Sequence, residues 1–136
     1  MKPVMCTVKD DPERGLYGDC VRACVASILE IERVPHFYAT GDGGLAFEEM
    51  REWLSAYGRI PAYFPLIADY TLDQVLNLME IDYPGVEYML FCSSGGGDHC
   101  VIGRNNAIIH NPAWFKSPID GPHSQGVWIV IILAKV

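Results

Sequence analysis

The chain has 136 residues, half of them hydrophobic, which bounds it to a single domain over 1–136 with a sizeable core and excludes a disordered polymer. Its formal net charge is −7, from 17 acidic and 10 basic residues. That balance argues against nucleic acid as a partner, because phosphates select Lys and Arg, and the scattered carboxylates read as the surface of a cytoplasmic protein.

The opening residues, Met-Lys-Pro-Val-Met-Cys-Thr-Val-Lys-Asp, lack the apolar core of a signal segment. Asp10-Asp11-Pro12 and Glu13-Arg14-Gly15 are turn chemistry. The pattern then predicts a helix from Cys20 to about Ile31, with Asp19 as N-cap. Its apolar residues wrap most of the circumference, as in a buried helix, and Pro35 closes the region. After a Gly41-Asp42-Gly43-Gly44 loop, Phe47, Met50, Trp53, Leu54 and Tyr57 fall at helical spacing, predicting an amphipathic surface helix that ends near Gly58. Residues 59–66 read as extended, and Pro61 and Pro65 confine them to a sheet edge or a non-strand. Thr71 to Met79 is predicted as a short helix capped by Thr71, burying Leu72, Val75, Leu76 and Met79.

From Val86 the character changes. Val86 to Cys92 is predicted as a strand and Ser93 to Gly97 as a flexible turn. His99–Arg104 and Ala107–His110 are predicted as strands joined by a tight hairpin at Asn105-Asn106. Pro112 to Gly126 reads as a loop. Val127 to Ala134, apolar throughout, reads as a central or doubly covered strand; it is far too short to span a bilayer, and no membrane partner is expected. The implied class is α+β, with a buried N-terminal helix packed on an antiparallel sheet.

Five cysteines cannot all pair within one chain. Their spacing offers no Cys-x-x-Cys and no compact Cys/His ligand set, so free thiols are expected and no metal or cofactor. Cys20 stands at a helix N-terminus, where partial positive charge favours the thiolate. Asp19 beside it opposes this unless its carboxylate is spent on backbone N–H groups; alternatively Cys20 is a small core residue. His99 follows the glycine-rich turn and is the candidate base. Asn111 is the candidate orienter of its ring, against the reading of an ordinary Asn-Pro turn. His110 is an alternative base. Strand alternation turns His110 and Asn111 to opposite faces, so at most one enters a given site. Cys24 lies one turn below Cys20, as core or as a resolving thiol. Cys100 reads as core, His36 as a cap for the region under the helix, and His123 as exposed or bordering a groove.

Gly18-Asp19-Cys20 with Ala23-Cys24, His99-Cys100-Val101-Ile102 and Asn111-Pro112 resemble, in that order, the motifs of the papain-like cysteine peptidase superfamily. They are most similar to its bacteriocin-leader-peptidase-like branch. Val34-Pro35-His36-Phe37, the stretch from Val101 to Asn105 and Ile109-His110-Asn111-Pro112 also resemble small proteins of bacteria and their phages. The resemblance spans about Gly18 to Pro112. It implies a papain-like fold with a Cys20–His99–Asn111 triad, acting as a peptidase, isopeptidase or amidase on a peptide or protein substrate through a thioester. The family's glutamine shortly before the cysteine is missing: Arg14 and Tyr17 stand in that stretch. The alternatives are an inactive binding module of the same fold, a phage-encoded inhibitor, and a thiol-redox role for Cys20 and Cys24.

Overall fold

Among the described residues there are three α-helices, two of them opened by a side-chain cap. The structure, a computed structural model, describes residues 1–114 and 117–136. Helix α1, Cys20–Leu29, buries Ala23 to Ser27 and ends where Glu30 turns left-handed at φ 57°. Ser27 is wholly buried; its hydroxyl donates to the Ala23 carbonyl at 2.7 Å and accepts the Val4 N–H at 2.8 Å, which ties the N-terminal segment to the helix. Helix α2, Gly43–Ser55, begins inside the expected glycine loop because the Asp42 carboxylate caps the Leu45 N–H. It buries Ala46, Met50 and Leu54, whereas Tyr57 lies beyond its end and is exposed. Helix α3, Leu72–Asp82, opens with a capping box in which Thr71 and Gln74 satisfy each other's backbone N–H groups. Val75, Leu76 and Met79 form its buried stripe, with Leu72 half-buried.

The strands are β1 (Arg59–Ile67), β2 (Glu87–Ser94), β3 (Gly97–Arg104), β4 (Ala107–His110), β5 (Ile119–Pro122) and β6 (Val127–Lys135). They form one six-stranded sheet in the order β1-β6-β2-β3-β4, with β5 also paired to β2. The β2–β3, β2–β5, β2–β6 and β3–β4 pairs are antiparallel. Strand β1 lies at an edge, where its two prolines leave no central ladder bond unmade. Strand β6 lies between β1 and β2, as its unbroken apolar run implies. The β2–β3 connection is a two-residue turn in which Gly95 and Gly96 both take positive φ, a demand that glycine meets without strain. Strand β5 falls within the stretch expected to be loop. Its partner Ser93–Ser94 lies far away in sequence, so no local pattern announces it.

The chain divides into two compact units. Of the described residues, the first comprises 1–61, 112–114 and 134–136, with α1 and α2; the second comprises 62–111 and 117–133, with α3 and most of the sheet. In the second, α3 packs through Val75, Leu76 and Met79 on the sheet face bearing Tyr88, Leu90, Cys92, Val101, Trp128 and Val130. The alternate residues Met89, Cys100, Ile102, Ile129 and Ile131 are buried too. No helix among the described residues is long and apolar enough to cross a membrane.

Candidate active site

Within the first unit, Cys20 is the first residue of α1 and is half-buried. Asp19 stands at the N-cap, its carbonyl accepting the Ala23 N–H, but its side chain makes no cap bond. The carboxylate instead accepts the N–H groups of Thr7 and Val8, both at 3.0 Å, the Thr7 hydroxyl at 2.9 Å and Arg22 Nε at 2.7 Å. This corrects the expected cap. The carboxylate's acceptor sites are taken up by two backbone N–H groups, a hydroxyl and a guanidinium, and the last of these carries charge on both partners. Burial alone would raise the Asp19 carboxyl, yet the bonds from Val8, Arg22 and Thr7 outweigh it and hold the group below the usual carboxylate range. The carboxylate beside Cys20 is therefore ionised at neutral pH and is paired with Arg22. The first-turn N–H groups of α1 keep their partial positive charge.

The residues before Cys20 are held from several directions. Gly18 N–H donates to Asp10 at 3.2 Å, and the Tyr17 carbonyl meets His36 Nε2 at 2.7 Å. The Tyr17 ring stands edge-on to Tyr38 with centroids 5.6 Å apart and lies over Gly41, where a β-carbon would overlap it. Arg14 is turned to solvent beside Asp11 at 3.4 Å.

The other cysteines behave differently. Burial, with help from the Asp19 carboxylate and Cys24, pushes the Cys6 thiol up to about 12, and Arg22 only partly opposes this. Cys6 is thus a protonated thiol at neutral pH. Cys24, Cys92 and Cys100 are buried, and no cysteine is in a disulfide.

In the second unit, the β2–β3 register sets His99 opposite Cys92, and the β3–β4 register sets His110 opposite Ile102. Alternation therefore puts His110 on the face of Ile102 and Asn111 on the face of His99 and Val101. His99 Nε2 lies 2.7 Å from Asn111 Oδ1. An amide oxygen only accepts, so the ring proton sits on Nε2 and Nδ1 carries the lone pair. Burial lowers the His99 pKa below its ordinary 6.5, and the bond to Asn111 offsets this only in part. The imidazole is consequently neutral at pH 7 and able to accept a proton at Nδ1.

His123 is partly buried rather than exposed. Its Nε2 lies 3.2 Å from Asp98 and its Nδ1 accepts the Gln125 N–H at 3.2 Å. Asp98 also accepts the Ser124 N–H at 2.8 Å and the Ser124 hydroxyl at 2.5 Å, so these residues clip the β5–β6 turn to the start of β3. The turn expected to be flexible is likewise tied down. Ser93 and Ser94 hydroxyls donate to the carbonyls of Pro122 at 2.5 Å and Ser117 at 2.9 Å. The backbone N–H of Gly96 reaches Asp120 at 3.3 Å. Sequence reasoning missed this bracing of the His99 strand; the paired serines before the glycines are the only local sign of it.

The structure thus brings His99 and Asn111 into direct contact in one unit and sets Cys20 at a helix N-terminus in the other. Among the described residues no group of three or more His, Cys, Asp or Glu side chains is arranged to hold a metal ion. Against known protein families, curated proteins and solved structures, the chain gives no match.

Proposed function

We propose that this chain is a papain-like cysteine hydrolase that cleaves a peptide, isopeptide or amide bond with Cys20 as nucleophile, His99 as acid–base and Asn111 as orienter. The observation that carries the reading is the 2.7 Å bond from His99 Nε2 to Asn111 Oδ1, the contact that fixes an imidazole in one tautomer with its other nitrogen available. The place of Cys20 as first residue of α1 supports it, because a helix N-terminus lowers a thiol's pKa.

In this reaction the Cys20 sulfur attacks the carbonyl carbon, and its proton passes to His99 Nδ1. The tetrahedral intermediate collapses, the C–N bond breaks, and the imidazolium returns the proton to the leaving amine. Water, deprotonated by the same nitrogen, attacks the thioester and releases the acid and the free thiol. The Cys20 backbone N–H supplies one oxyanion donor. A second donor is worth about 10²–10³ in rate, and the exposure of Arg14 favours as second reading an inactive binding module of the same fold.

A chloroacetamide probe, with peptide mapping of the modified residue, tests the reading. The wild type should label at Cys20 in preference to Cys6, and His99→Ala should label at least tenfold more slowly, a floor set below the 10²–10⁴ typical of a general base. Equal labelling of Cys20 in both proteins would remove the hydrolase and leave the binding module.

A further inference from the structure

His36 is a polar ring held in place between two apolar anchors. Val34 and Phe37 are buried, and Phe37 packs edge-on against Trp53 with centroids 5.8 Å apart. The turn that follows is closed by backbone bonds from Ala39 to His36 and from Gly41 to Tyr38. The imidazole is thereby aimed at the Tyr17 carbonyl, 2.7 Å from Nε2, and must carry its proton there. Its Nδ1 is buried with no hydrogen-bond partner. A buried acceptor left unsatisfied is costly. An apolar ring at this position would fill the space without that cost, so the bond to Tyr17 is what the imidazole contributes.

We propose that His36 is a positioning residue for the nucleophile: through the Tyr17 carbonyl it sets the backbone from Tyr17 to Cys20 and so the placement of the thiol at the helix start. The inference rests on the reading of Cys20 as nucleophile. Three consecutive residues are held by three different parts of the first unit: Tyr17 by His36, Gly18 by Asp10, and Asp19 by Thr7, Val8 and Arg22. The His36 bond comes from the chain downstream of α1, which also packs Tyr38 and Gly41 against the Tyr17 ring. Losing it loosens the Tyr17 backbone while the ring keeps its packing and α1, held by the Asp19 cluster, stays formed.

The test compares wild type, His36→Phe and His36→Gln as full-length protein. Phe keeps the ring volume and loses the donor; the Gln amide restores a donor near the Nε2 position. Amide hydrogen exchange over residues 18–20 should speed by about tenfold in His36→Phe, the worth of one lost hydrogen bond, with the amides of α3 and β3 at wild-type rates. The pH midpoint of Cys20 alkylation should rise in the same variant. His36→Gln should return both toward wild type. Wild-type exchange at residues 18–20 in His36→Phe, a uniform rise across all amides, or no recovery in His36→Gln would overturn the proposal. If wild-type Cys20 alkylates with the midpoint of an ordinary thiol, the nucleophile reading falls. Exchange then decides on its own whether His36 sets this backbone, and the catalytic role is lost with the nucleophile.

Discussion

His99 and Asn111, twelve residues apart, share a 2.7 Å hydrogen bond between Nε2 and Oδ1. Two opposing effects act on the imidazole: burial lowers its pKa, and the Asn111 oxygen, which favours the protonated ring, raises it. Removing the oxygen leaves burial unopposed. Asn111→Ala should therefore move the His99 midpoint further down, and Asn111→Asp should move it up, since a carboxylate stabilises the imidazolium more than an amide does. A proton NMR titration of the His99 ring checks both directions. The sign extends to stability. Because the folded pKa lies below the unfolded value near 6.5, the contribution of His99 is full above that value. It is lost as pH falls through the folded pKa.

Asp19 gathers Thr7, Val8 and Arg22 in the first unit. Asp19→Ala removes the partner of Arg22, a side chain that is only 14% exposed, and frees the N–H groups of Thr7 and Val8. The cost should be about 3 kcal/mol, typical of breaking a buried pair, read as a shift of the denaturant midpoint. Since the folded carboxyl titrates below its usual range, its stabilising effect is present above about pH 4 and lost as pH falls through the folded pKa. The gap between wild type and Asp19→Asn should close in the same direction, which urea unfolding at stepped pH measures.

Gly103 faces the Tyr88 ring, and a β-carbon there would overlap the ring's hydroxyl end. Tyr88 is fully buried, and burial pushes its phenol up to about 12. It has little room to retreat. Gly103→Ala should destabilise by about 1–3 kcal/mol, the range for overpacking. In a Tyr88→Leu background the added cost should be much smaller, because the clash is with the ring. Thermal unfolding of the four proteins of the cycle gives the coupling.

Thr71→Ala should cost about 1 kcal/mol by opening the capping box of α3. Thr71→Ser should retain most of the stability, since only the hydroxyl oxygen is used. Equilibrium denaturation separates the two variants.

What the sequence discloses here follows from how local each cause is. The helices of α1 and α3, the edge position of β1 and the hairpin at Asn105 are set by neighbours a few residues apart, and they are present. The α2 start moved into the glycine stretch because Asp42 caps it, a signal readable as Asp followed by a helical run. Strand β5 and the bracing of Ser93–Gly96 depend on partners more than twenty residues away. Asp19 looked like a cap because the segment that captures it, Thr7–Val8, is brought in by folding. The meeting of His99 and Asn111 was legible in part: period-two alternation puts His110 and Asn111 on opposite faces, and the strand register that decides between them comes only with folding. The role of His36 was not: Val-Pro-His-Phe carries no sign that its imidazole reaches the Tyr17 carbonyl.

The central claim is that Cys20 is an activated nucleophile served by His99. Its most direct test is the rate of Cys20 alkylation by iodoacetamide against pH, mapped by mass spectrometry in wild type and His99→Ala. The account predicts a wild-type midpoint well below the 8.5 or so of a free thiol. It also predicts a rise toward that value in His99→Ala, with at least tenfold slower reaction at neutral pH. Superimposable profiles with an ordinary thiol midpoint in both proteins would contradict it.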